Sequence, residues 1–162
     1  MTALTLSEQL DQKICDKGII LERKNLDTFG IDGLYLRSEK MVAPLIAINR
    51  SLKTDGERNV TKSHEYQHHE YGYDNLIASP KWFRDKQEAI VDRATVKQLI
   101  PPNKIIKAFR AGCCNLFEFA EYLEISEKFF VHGLELYEHI HGPRFEYEGY
   151  IIVWRPLNIE KD

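Results

Sequence analysis

Along the chain the apolar positions change their period twice. Leu6, Leu10 and Ile14 recur four apart, with Lys13 and Lys17 between and after them, and predict a short amphipathic helix capped at Ser7 and stopped at Gly18. Three strand-like pieces follow at residues 19–22, 33–36 (GLYL) and 45–49 (LIAIN), separated by Gly, Asp, Asn and Pro. Strands this short make a small sheet. After Arg50-Ser51-Leu52 the period becomes helical again, and residues 57–69 place Val60, His64 and His68 on one face. Gly72 and Ser79-Pro80 break the chain before a second helix at 86–99, which Pro101-Pro102 closes. A helix at 104–111 and a helical pair come next, the pair carrying Phe117, Ala120, Tyr122 and Leu123, then Phe129, Phe130, Leu134, Leu136 and Tyr137. The last segment, FEYEGYIIVWRPL, is aromatic and β-branched and predicts a terminal hairpin or strand. The expected class is α+β: a small N-terminal three-stranded sheet, then a helical majority, then a terminal β segment.

Composition narrows the function classes. A chain of 162 residues, 43% hydrophobic, is long enough for one domain with a real core. The net charge of -3 and pI near 6.1 give no electrostatic reason to bind nucleic acid or an anionic membrane non-specifically. No apolar run approaches the ~18–20 residues that span a bilayer, and MTALTLSEQLDQK lacks the basic and apolar regions of a signal peptide, so a cytoplasmic protein is expected. Cys15, Cys113 and Cys114 are odd in number and contain no C-x-x-C pair, which suggests neither a disulfide framework nor a cysteine metal site.

Candidate chemistry concentrates in SHEYQHHEYG, residues 63–72, which holds three of the six histidines. HEYQH fits H-E-x-x-H. Helical residues four apart differ by about 40 degrees, so His64 and His68 can point at one ion, and zinc takes imidazole nitrogen at about 2.0–2.1 Å. Glu65 sits roughly 100 degrees round the same turn, within reach of a water on that ion, and so suits a general base. His69 lies about 140 degrees from His64 and cannot share the ion without breaking the helix. Two histidines on a charged, solvated helix would match the same pattern, so a third ligand is the test. The run QEAIVDRATVKQLIPP offers Glu88 and Asp92, four apart. They suit a ligand and a partner that accepts a ring N–H from a ligating histidine; they equally suit an acidic face paired with Arg93 or Lys97.

The ordered set GLYL, LIAIN, ERNVTKSHEYQHH, QEAIVDRATVKQLIPPNKI and FEFAEYLEISEKFF resembles the ImmA/IrrE metallopeptidases, especially their phage and mobile-element members. The resemblance runs from about Gly33 to Pro156. It implies a zincin-like core over residues 1–112 and a C-terminal helical extension with a terminal strand or hairpin over 113–162. It also implies Zn2+ held by His64, His68 and Glu88, with Glu65 as general base. The implied substrate or partner is a helix-turn-helix repressor, cut to relieve repression. Val91, Tyr66-Gln67 and Ala94 depart from the family's usual residues, none of them at an implied ligand.

Residues 117–137 could form a helix-turn-helix, but they carry Glu118, Glu121, Glu124, Glu127 and Glu135 against Lys128 alone, and phosphate would repel them. A protein contact, with no direct nucleic acid and no membrane, is expected instead. His132, His139 and His141 could clip a metal or simply end a helix, where imidazolium favours the dipole. Tyr71 and Tyr73 are candidate oxyanion donors beside the motif. A rival to hydrolysis is a peptidase-like module that binds its repressor without cutting it.

Overall fold

The computed structural model describes residues 2–72 and 78–162, and the chain divides into two compact units, Met1–Thr95 and Val96–Asp162. In the first unit, helix α1 (Leu6–Asp16) starts at a capping box. Thr5 N–H donates to the Glu8 carboxylate (2.8 Å) and Glu8 N–H donates to Thr5 Oγ1 (3.2 Å). The cap is therefore Thr5, not Ser7, because only Thr5 has a glutamate three residues on. Leu6, Leu10 and Ile14 form the buried stripe.

Strands β1 (Ile20–Lys24), β2 (Gly33–Leu36) and β3 (Leu45–Asn49) pair in the order β1-β3-β2, with β1 parallel and β2 antiparallel to β3. Central β3 is the most apolar strand. Its Ile46 and Ile48 meet Ile14, Ile19 and Tyr66 in the core, with Leu21, Tyr35 and Leu52 against them. Buried Asn49 ends β3 with every polar atom used. Its Oδ1 accepts from Leu26 N–H and Ser51 N–H, and its Nδ2 donates to Asp27 and to the Ile31 carbonyl. The chain between β1 and β2 is thereby tied to the end of β3, and β2 is left as a sheet edge.

Helix α2 (Asp55–Glu70) repeats the capping device at Thr54 and Glu57, which starts it two residues before the expected position. Its burial is unusually polar, with Asn59, Thr61, Lys62, Ser63, Glu65, Gln67 and His68 all buried. Lys62 Nζ donates to Ser7 Oγ (2.9 Å) and to Asp11 (2.5 Å), joining α2 to α1. Tyr66, 2% exposed, sits in the core with its hydroxyl on Glu70. Helix α3 (Lys81–Leu99) begins five residues before the expected 86. The Phe83 and Arg84 N–H groups are satisfied by the Pro80 carbonyl, and Lys81 pairs with Asp85 one turn on. Its Gln87, Val91 and Thr95, four apart, are buried, and Glu88 stands one position round at the margin of that stripe.

The second unit holds α4 (Pro102–Arg110), α5 (Leu116–Leu123) and α6 (Glu127–His141), then an antiparallel meander of β4 (Arg144–Tyr147), β5 (Tyr150–Val153) and β6 (Asn158–Lys161). The expected terminal hairpin is thus present with a third strand added. Glu148 and Gly149, both at positive φ, make its two-residue turn. Phe119 stacks on Phe130, and fully buried Trp154 stacks on Tyr137, whose hydroxyl donates to the Ile100 carbonyl. Arg155 on the strand side pairs with Glu135 and Glu138 of α6. Among the described residues, no helix is long and apolar enough to cross a membrane.

Candidate metal centre

Helix α2 brings His64 and His68 together as their spacing requires, with ring centroids 5.0 Å apart and planes at 74°. Glu88 of α3 meets both. His64 Nε2 lies 3.1 Å from Glu88 Oε2, and His68 Nε2 lies 3.1 Å from Oε1. One ligand atom from each of the three residues falls within 4.8 Å of the others, and among the described residues this is the one group of three or more His, Cys, Asp or Glu side chains so placed. The site is asymmetric. The His68 side chain is 10% exposed, that of His64 28% and that of Glu88 54%, so the cluster is closed on the His68 side and open to solvent past Glu88.

Electrostatics follow this geometry. Hydrogen bonds from His64 and His68 hold the Glu88 carboxyl well below the usual carboxylate range, against the opposing effect of burial. Burial alone would lower His64, but the bond to Glu88 and the charges of Glu65, Glu88 and Asp92 outweigh it and raise the imidazole. Glu65 moves the other way. Its burial raises the carboxyl, and the nearby imidazoles of His64 and His68 only partly offset that.

The seat of Glu65 is made by β2. The Tyr35 backbone N–H donates to the Glu65 carboxylate, and Gly33 leaves the room the side chain occupies. A Cβ on Gly33 would stand 2.9 Å from Glu65 Cγ and 3.0 Å from Oε1. Only glycine permits that approach.

Of the residues expected from sequence, the structure thus gathers His64, Glu65, His68 and Glu88. Asp92 lies one turn beyond Glu88, partly buried, and close enough for its charge to act on His64. Tyr71 is the C-cap of α2, half exposed, its N–H on the Gln67 carbonyl, and among the described residues no hydrogen bond links its hydroxyl to the cluster. Tyr73 lies outside the described residues. His141 packs on Phe145 (4.3 Å) and His132 lies beside Phe129, while exposed His139 stands with His141 in the last turn of α6, the helix-end position expected of them. Sequence reasoning did not find Gly33 and Tyr35 as parts of the site. GLYL is legible as a strand, but its alignment against a helix some thirty residues later leaves no mark in local periodicity.

The donor set suits a metal. Two imidazoles and a carboxylate form one of the common zinc triads, and here one ligand atom from each lies within 4.8 Å of the others. A comparison with curated proteins gave no match. Residues 15–135 match the family described as Peptidase M78, IrrE N-terminal-like domain. That span is most of the chain and contains every member of the cluster, and the chain belongs to this metallopeptidase-type family.

Proposed function

We propose that the protein is a zinc-dependent endopeptidase whose substrate is a helix-turn-helix repressor of a phage or mobile element. The observation that carries the reading is the convergence of His64, His68 and Glu88 with a buried carboxylate, Glu65, on the same turn of α2. His64, His68 and Glu88 would hold the ion. Zinc in that triad supplies Lewis acidity, which makes a nearby water acidic and a peptide carbonyl electrophilic.

The chain's own residues would do the rest. Glu65, with its carboxyl raised by burial, accepts the proton of the attacking water at Oε and returns it to the departing amine; general acid–base action of this kind contributes about 10²–10⁴-fold. The Tyr35 N–H holds that carboxylate in one orientation. Among the described residues strand β2 has β3 on one side and no strand on the other, so an extended polypeptide can approach along that edge beside the cluster. Solvent exposure at Glu88 gives that polypeptide an approach.

The test is cleavage of a purified helix-turn-helix repressor of a phage or mobile element, with zinc content measured in parallel. Wild type cuts, Glu65→Gln keeps zinc and does not cut, and His68→Ala loses zinc. Undiminished cutting by Glu65→Gln, or full zinc content in His68→Ala, would overturn the assignment. A stable complex with intact repressor, indifferent to Glu65→Gln, would establish a binding module in its place.

A further inference from the structure

His69 lies about 140 degrees from His64 round α2 and points away from the cluster. The structure gives it a different neighbour. Glu65 and His69 are four apart, so they share the face of α2 turned to β2. There Tyr35 Oη and His69 Nδ1 lie 2.9 Å apart, hydrogen-bonded, with the two rings in an edge arrangement at 5.6 Å. The same tyrosine donates its backbone N–H to Glu65. Two residues earlier on the strand, Gly33 is pressed against Thr61 and Glu65. Strand β2 therefore runs along Thr61, Glu65 and His69, three successive positions of one helical face.

We propose that Tyr35 is a positioning residue: its hydroxyl, locked to His69, fixes where β2 lies along α2, and its N–H thereby fixes the carboxylate of Glu65. The hydroxyl bonds to His69, which is not a member of the cluster, so its effect on chemistry passes through the strand. One residue thus grips the helix at two points a turn apart. Packing alone would resist separation of β2 and α2. It would resist sliding less, since Gly33 presents a flat surface to the helix. The side-chain bond to His69 opposes the slide. The catalytic consequence rests on the peptidase reading above; the clamp itself does not.

Two measurements separate them. The first is amide hydrogen exchange across residues 33–36 of the zinc-loaded protein. Tyr35→Phe keeps the ring and the N–H but removes the hydroxyl, and His69→Leu removes its ring-nitrogen partner. Each is expected to speed exchange about tenfold, the scale of one lost partly buried hydrogen bond, and the double variant no more than either single. His69→Asn, whose Oδ1 replaces Nδ1 near the same place, restores protection. Unchanged exchange in both single variants, or additive effects in the double, overturns the clamp.

The second is the rate of repressor cleavage. Tyr35→Phe and His69→Leu lower kcat about tenfold with KM within about twofold and zinc content unchanged, and His69→Asn recovers kcat. Faster exchange with unaltered kcat overturns the positioning role. If neither wild type nor any variant cuts, the peptidase reading falls, and the exchange result still supports or refutes the clamp.

Discussion

Replacing Gly33 with alanine probes the contact between sheet and helix with a single methyl group. The new Cβ would stand 2.5 Å from Thr61 Cγ2, 2.9 Å from Glu65 Cγ and 3.0 Å from Glu65 Oε1. Thr61 cannot simply turn aside. It is β-branched, buried, and its hydroxyl donates to the Glu57 carbonyl at 2.9 Å, so rotating the methyl away sacrifices that bond. Glu65 can move only by leaving the Tyr35 N–H. The strand must therefore back off the helix. Overpacking of this kind costs about 1–3 kcal/mol, and at about 2–4 °C per kcal/mol for a chain of this length the melting temperature should fall by about 2–12 °C. Thermal melts by circular dichroism measure it. Thr61→Ser removes Cγ2 and keeps the hydroxyl, so it should restore most of the loss in the Gly33→Ala background while doing little by itself. Cleavage should drop further than stability accounts for, because the displaced residue is Glu65. A Gly33→Ala protein that melts within about 1 °C of wild type, or one that Thr61→Ser does not help, would refute the close approach.

Other outcomes follow from the same contacts. With chelator present, the raised His64 contributes stability below its unfolded pKa of about 6.5, lost as pH rises through the folded value, and the lowered Glu88 contributes above about 4.3, lost on acidification. Melts should therefore show extra stability between about pH 4.5 and 6.5 that Glu88→Ala removes, and an identical pH profile in that variant would count against the pairing. Asp11→Ala leaves Lys62, buried in α2, with Ser7 as its remaining partner; about 1–3 kcal/mol should be lost in urea unfolding. Tyr137→Phe strips the hydroxyl from the buried Ile100 carbonyl of the second unit and should cost about 1–3 kcal/mol by the same measurement, whereas a neutral result would mean that water replaces it.

What the sequence disclosed was whatever a helix or strand encodes locally. His64 and His68 converge because helical geometry makes residues four apart neighbours, whereas the acidic pattern on the helix of Glu88 suits a solvated face as well, and only the family resemblance singles Glu88 out. β2 and β3 were legible to the residue, since GLYL and LIAIN are bounded by turn formers. Helix starts were read late at 57 and 86. At the first, the Thr54 and Glu57 capping box lies outside the apolar repeat; at the second, exposed Trp82 beside Phe83 shows no helical period. The pairing of Tyr35 with His69 spans 34 residues and depends on how β2 docks, which no local pattern specifies. The helical angle that turns His69 away from His64 turns it toward a strand that spacing cannot name.

The polar burial along α2 has a consequence for the newly made chain. A helix whose buried positions, Tyr66 apart, are all polar has little apolar stripe of its own, and a sixteen-residue segment without one is barely helical in water. Its two histidines face one point only when that helix exists. During synthesis HEYQH therefore passes as an ordinary stretch of coil, and it becomes a site only after α1, the sheet and Glu88 have emerged and closed round it. Hydrolytic competence would then be a property of the finished unit, arriving with the last of its parts, so that a prematurely released fragment carries the motif and none of the hazard.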